Sequence, residues 1–166
     1  MIPELSIITL VIHMEDRMYG LTLAQATEIA NAALTKGREM AFKPLTVAVL
    51  DAGGCLKVLL REDGSSIMRP DIAFAKAWGA LGMGMGSRAI AKRANDVPQF
   101  WTALDIVSQG RIAPAPGGVL ILQDGQVIGS VGVTGDISDN DEACAIAGIQ
   151  KAGFEAVTGE EALGKQ

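Results

Sequence analysis

The 166-residue chain is poor in the residues that most metal and redox chemistry needs: it has one histidine, two cysteines, two tryptophans and one tyrosine. A structural zinc site takes four Cys or His ligands, and the common sets cannot be assembled from this supply. Cys55 and Cys144 lie too far apart in sequence to suggest a disulfide framework, so a reduced, cytoplasmic setting is expected. Basic residues are also scarce. Fourteen Lys and Arg face nineteen Asp and Glu, giving a net charge of −5, and no local basic cluster compensates. A nucleic-acid or anionic-membrane partner is therefore excluded from the expectations. Long apolar runs are missing too. The longest near the N-terminus, Leu5 to Ile12, falls well short of the roughly 20 residues that span a bilayer. It is not the core of a secretory signal either, because the first basic residue, Arg17, follows it and no small-residue cleavage site appears.

What the chain has in excess is glycine, 20 of 166, against about 7% in average chains. Its length fits one domain with its own core. Residues 1–20 read as an N-terminal extension, β-branched at Ile7, Ile8, Thr9, Val11 and Ile12, that docks on the domain or on a partner subunit. Residues 21–158 are expected to form the domain, and 159–166 a polar tail.

Along the domain, Leu23, Ala26, Ile29, Ala30, Ala33 and Leu34 recur at helical spacing, which predicts a helix from Thr22 to about Met40 with Gly37 as its weak point. The apolar run Leu45 to Leu50, the turn Asp51-Ala52-Gly53-Gly54 and the segment CLKVLLR predict a hairpin whose first strand is buried on both faces. Pro70 opens a small-residue helix, with Ile72, Ala75 and Trp78 or Gly79 expected on its buried side. Gly82, Gly84 and Gly86 break it, and a short apolar helix follows from Pro98 to Ser108. Asp124-Gly125 predicts a two-residue turn between VLILQ and QVIGSVGVTG. Gly129, Gly132 and Gly135 cannot supply a packed face, so they mark close backbone approach or a bulge. A last helix is expected from Ser138 or Asp139 to near Gly159. The order helix, hairpin, helices, hairpin, helix predicts an α+β domain with a mostly antiparallel sheet.

Several motifs fail on inspection. Gly82-x-Gly84-x-Gly86 lacks both the third-glycine spacing and the preceding strand of a dinucleotide fingerprint. The acidic run from Asp136 to Glu142 has Asp141 where a calcium loop requires glycine, and Ala147 where it requires glutamate. Ser138 with Asp141 three residues later reads instead as a helix cap. No nucleophile elbow occurs, and neither cysteine has a histidine base other than His13. Acid–base chemistry must then rest on carboxylates and on Lys76, with Arg61 as an electrostatic partner.

VAVLDAGG at 47–54, Arg61 with Asp63-Gly64, Ala75-Lys76-Ala77, and PGGV followed by DGQVIGSVGVTG and DEACAIAG together resemble the GlcG/HbpS family. That family is named for a glycolate-operon protein and an extracellular haem-binding protein, and it includes the C-terminal domain of some cobalamin adenosyltransferases. The resemblance covers about four fifths of the chain, from Leu21 to about Phe154. It implies a profilin-like α+β domain with a central antiparallel sheet, usually a homo-oligomer. It also implies a pocket between Lys76, the loop Pro116-Gly117-Gly118 and the helix start at Asp141-Glu142, with Arg61 near the rim. Bare glycine N–H groups, a helix N-terminus and a lysine suit a carboxylate.

Three functions compete on this footing. The first is an oligomeric binding protein for a carboxylated metabolite or a haem-like porphyrin, with His13, Met83 or Met85 as the available iron ligands. The second is a cofactor-independent isomerase, tautomerase or hydrolase, in which Lys76 and Arg61 hold a carboxylate or stabilise an enolate and Asp141 or Glu142 moves a proton. The third is a structural accessory subunit of a catabolic enzyme. No metal site is expected.

Overall fold

Thr22 accepts from the backbone N–H of Gln25, and the Gln25 side chain returns a bond to the Thr22 N–H, so a complete capping box starts helix α1, Leu23–Glu39. The computed structural model describes residues 20–159; the readings made for His13, for the rest of the N-terminal extension and for the tail beyond Gly159 lie outside these residues. After α1 come strands β1, Thr46–Asp51, and β2, Leu56–Arg61, then helices α2, Arg69–Met83, α3, Ser87–Asp96, and α4, Pro98–Val107. Strands β3, Gly118–Gln123, and β4, Gln126–Thr134, follow, then helix α5, Ser138–Lys151, and a short strand β5, Glu155–Val157. The five strands form one sheet in the order β2-β1-β4-β3-β5, and every pairing is antiparallel. The expected α+β class is what the chain adopts.

Alternation along the strands sorts the core into two layers. Val47, Val49, Val119, Ile121, Val131 and Val133 are fully buried in one cluster with Ile29, Ala33, Cys144 and Ile149, so this face of the sheet is covered by α1 and α5. The other face carries Ala48, Leu50, Gly118, Leu120, Ser130 and Gly132, and α2 lies across it. That second layer is thin. A β-carbon on Gly132 would run into the carbonyl of Ala73, and one on Gly118 into the carbonyl of Lys76, while Ser130 Oγ donates to Ala77 O at 2.9 Å. The glycines of β3 and β4 therefore set the height of α2 above the sheet, which is the close backbone approach their spacing predicts.

Both hairpins form as predicted. Asp124 and Gly125 both adopt positive φ, 51° and 74°, as a two-residue turn matched to strand twist requires.

Three expectations are corrected. The last helix ends at Lys151: Gly153 turns the chain with φ 83°, and Glu155–Val157 pairs with the free edge of β3. Phe154, Ala156 and Val157 resemble a continuation of an apolar helix face, but an open strand edge competes for them and wins. Ser138 does not cap α5. Ile137 occupies the cap position with no side-chain bond, and Asp141 instead accepts from the N–H of Asp136 at 3.0 Å. On α2 Ala75 and Gly79 are buried as expected, but Ile72 and Trp78 are only half-buried, and Ala73, Lys76, Ala77 and Ala80 are buried instead, because contact with a glycine-rich sheet selects small residues over large ones. Helix α3, with Arg88, Lys92 and Arg93, is an addition to the expected elements.

Candidate functional site

Because α2 rides so low on the sheet, Lys76 cannot reach solvent over its edge, and its side chain runs instead to the end of β4. There Nζ donates to Val133 O and to Asp141 Oδ2, both at 3.0 Å. Lys76 is 3% exposed and Asp141 1%. Burial pulls the Lys76 ammonium below its ordinary range, with the Asp141 charge opposing. Burial pushes the Asp141 carboxyl up, and Lys76 opposes that. Burial thus disfavours the charged form of both partners, and their attraction and the Asp136 N–H on Asp141 Oδ1 oppose it.

Gly117 completes this arrangement. Its φ is 120°, and its carbonyl accepts from the Val133 N–H at 2.9 Å. A β-carbon there would stand 2.6 Å from Val133 O, 2.9 Å from Lys76 Nζ and 3.1 Å from Asp141 Cβ. An ammonium has three hydrogens to give, and Val133 and Asp141 take two. Only a residue without a side chain can pass this close to it. Next in the chain, the Gly118 N–H donates to Ser87 Oγ at 2.6 Å, which ties the start of β3 to the start of α3.

A second ion cluster adjoins the first on α5. Arg88 Nε donates to Glu142 Oε2 at 2.7 Å, and Arg88 Nη2 reaches the same oxygen at 2.6 Å and Asp139 Oδ1 at 2.5 Å. These bonds raise the Arg88 pKa. Glu142 is 6% exposed, and Arg88 is a cation paired with it there.

The structure therefore brings together Lys76, Gly117, Gly118, Asp141 and Glu142, with half-buried Pro116 beside them in the loop. Arg61 belongs to different company. It donates to Ser65 O at 2.9 Å and lines an open groove of about 490 Å³ with Arg38, Pro44, Glu62 and Asp63. Sequence reasoning missed Ser87, Arg88 and Asp139. The readable signal was the three-residue spacing of Asp139 and Glu142 on a helix start, which offers two carboxylates to one cation.

The comparison with known proteins decides the family. The family described as "Haem degrading protein HbpS-like" matches residues 21–150. The chain belongs to the HbpS-like family. It is 30% identical over 125 residues to an uncharacterized 15.0 kDa protein from the dhaT-dhaS intergenic region of Citrobacter freundii, a match that covers 75% of this chain and 87% of that protein. Among solved structures, a double mutant of HbpS from Streptomyces reticuli superposes with a TM-score of 0.69 at 30% identity, covering 79% of this chain and 86% of HbpS. PduOC, solved in complex with haem, superposes with a TM-score of 0.72 at 24% identity, covering 82% and 97%. The HbpS-like fold thus places the Lys76–Asp141 pair on a scaffold of which one relative, PduOC, holds haem. No helix among the described residues is long and apolar enough to cross a membrane.

Proposed function

We propose that this HbpS-like protein binds a small molecule bearing a carboxylate, with haem as the first candidate, and that the carboxylate meets Lys76 beside Gly117. The observation that carries this reading is the buried ammonium that spends two of its three hydrogens on Val133 and Asp141. The Ser87 hydroxyl, which accepts from the Gly118 N–H, keeps its own proton to give beside it. The haem-bound relative PduOC supports the choice of ligand, since haem carries two propionates. The fit is to the propionate end of the ligand. The described residues contain no histidine, so the iron would take Met83, Met85 or the His13 of the N-terminal extension. Bound there, the haem would bring its own redox chemistry; the residues described supply binding and charge.

The exposed apolar side chains of α4, Phe100, Ile106 and Val107, support self-association into a homo-oligomer. A second reading, proton transfer on a carboxylated substrate, draws on the opposed shifts of Lys76 and Asp141, which make the pair an acid and a base of closer strength than usual.

The test is a hemin titration followed at the Soret band, alongside calorimetry with small mono- and dicarboxylates. A saturable response to hemin or to one carboxylate class, weakened at high salt, is the expected result. No saturable binding of any of them would overturn the reading.

A further inference from the structure

Arg61, Thr46 and Thr134 stand side by side on three neighbouring strands, because Thr46 pairs with Arg61 of β2 on one flank and with Thr134 of β4 on the other. Paired residues of an antiparallel ladder share a face, and this one also carries Ala48 and Leu50, beneath α2. Arg69, the first residue of α2, meets the row at its Thr134 end, where its Nη1 donates to Thr134 Oγ1 at 2.6 Å. Ser65, in the loop between β2 and α2, meets it in the middle. Its Oγ lies 2.8 Å from Thr46 Oγ1, and its carbonyl accepts from Arg61 Nη1 at 2.9 Å.

This row is rich in protons and short of acceptors. A guanidinium has five N–H donors, and Arg61 and Arg69 spend one apiece within the described residues. Thr134 Oγ1 accepts from Arg69 and gives its own proton to no acceptor there. Of Thr46 and Ser65, one hydroxyl donates to the other, so one proton is again left over. Counter-charge is missing as well. No carboxylate of the described residues lies within 4 Å of Arg61 or Arg69: Glu62 is held by Arg38 and by the Leu45 N–H, Asp141 is held by Lys76, and exposed Asp63 and Asp71 pair with neither arginine. Arg69 even adds to an existing surplus, since burial first, and then the Arg69 charge, disfavours the Lys76 ammonium. Arg61 is exposed and Arg69 half-buried, so both remain open to a ligand. What the protons and the charges lack in common is an oxyanion.

The two arginines approach from opposite ends of the row. The backbones of Arg61 and Thr134 are two strand spacings apart, about 10 Å, which favours two separate anionic groups over one. Each guanidinium fork matches the edge of a carboxylate. We infer that Arg61 and Arg69 form a site for a short dicarboxylate, one carboxylate at each guanidinium. This site goes beyond the Lys76 reading and does not rest on it. Calorimetry of the full-length protein with succinate, glutarate and adipate, against acetate and inorganic phosphate, tests it. One of the three dicarboxylates is expected to bind saturably, one per chain, about tenfold or more tighter than acetate or phosphate. Arg61→Gln, a change at an exposed side chain, should weaken that dicarboxylate about tenfold or more, and Arg69→Lys, which keeps the charge but removes the fork, should weaken it too. If Arg69→Lys does not fold, Arg61→Gln decides alone. No saturable binding of any dicarboxylate overturns the inference, and so does phosphate bound as tightly, or an affinity that Arg61→Gln leaves unmoved. A dicarboxylate lost in Lys76→Met/Asp141→Leu but kept in Arg61→Gln sits at Lys76, which refutes this site and leaves the Lys76 reading standing. Dicarboxylate binding lost in Arg61→Gln and kept in Lys76→Met/Asp141→Leu supports this site by itself.

Discussion

Lys76 Nζ and Asp141 Oδ2 stand 3.0 Å apart with side chains only 4% and 2% exposed, and they join the second half of α2 to the first turn of α5 across the end of β4. Removing two charges from water costs several kcal/mol each, and their attraction repays this only in part. A pair placed at such cost for stability alone would be a poor bargain, and its position beside Gly117 is the reason to read it as a binding group.

Breaking the pair should be worse than replacing it. Lys76→Met leaves a buried carboxylate without its cation and is expected to cost about 3–5 kcal/mol in urea unfolding. The double variant Lys76→Met/Asp141→Leu should recover most of that loss. A double variant no more stable than Lys76→Met would show that the two residues do not act as a pair.

The pH dependence follows from the directions of the two shifts. Asp141 holds its proton to higher pH in the folded state than its ordinary 3.8, so its contribution to stability is present below about that value and is lost as pH rises through the raised folded value. Lys76 is depressed below its ordinary 10.5, so its contribution is present above that value and is lost as pH falls through the lowered folded value. The stability of the unaltered protein minus that of the double variant should therefore pass through a minimum between the two windows. A difference that stays flat from pH 4 to 10 would contradict the account.

Much of the fold was legible because its signals are local. The Thr22 helix start, the Asp124-Gly125 turn and the doubly buried β1 each follow from a few adjacent residues. What escaped depends on partners distant in sequence. Glu155–Val157 is a strand only because β3 offers it an edge, and Lys76 is buried only because Gly118 and Gly132 lower α2. The resemblance to a known family pointed to Lys76, Gly117 and Asp141 as neighbours. Arg88 escaped because its carboxylates lie 51 and 54 positions away.

Glycines with the same composition should differ sharply in tolerance. Gly132→Ala forces a β-carbon into the Ala73 carbonyl and should cost about 3 kcal/mol or more, since two backbones must separate. Gly82→Ala, in α2 with Trp78 no nearer than 3.6 Å, should gain about 0.5–1 kcal/mol from helix propensity. Thermal unfolding of the two variants checks both signs.

The two thiols should separate in reactivity. Cys144 is fully buried in the core, and burial pushes its pKa up to about 11, whereas Cys55 is exposed in the β1–β2 turn. A chromogenic disulfide reagent at pH 8 should titrate one thiol in the native protein and two after denaturation.

The most direct test of the central claim is hemin affinity of the Lys76→Met/Asp141→Leu variant, which keeps an apolar, foldable core but lacks the buried Lys76–Asp141 pair. Loss of one charge-assisted hydrogen bond, about 1.5–3 kcal/mol, predicts affinity weakened about tenfold or more, with the unfolding midpoint near that of the unaltered protein. Unchanged affinity in this variant would place the ligand elsewhere and contradict the account.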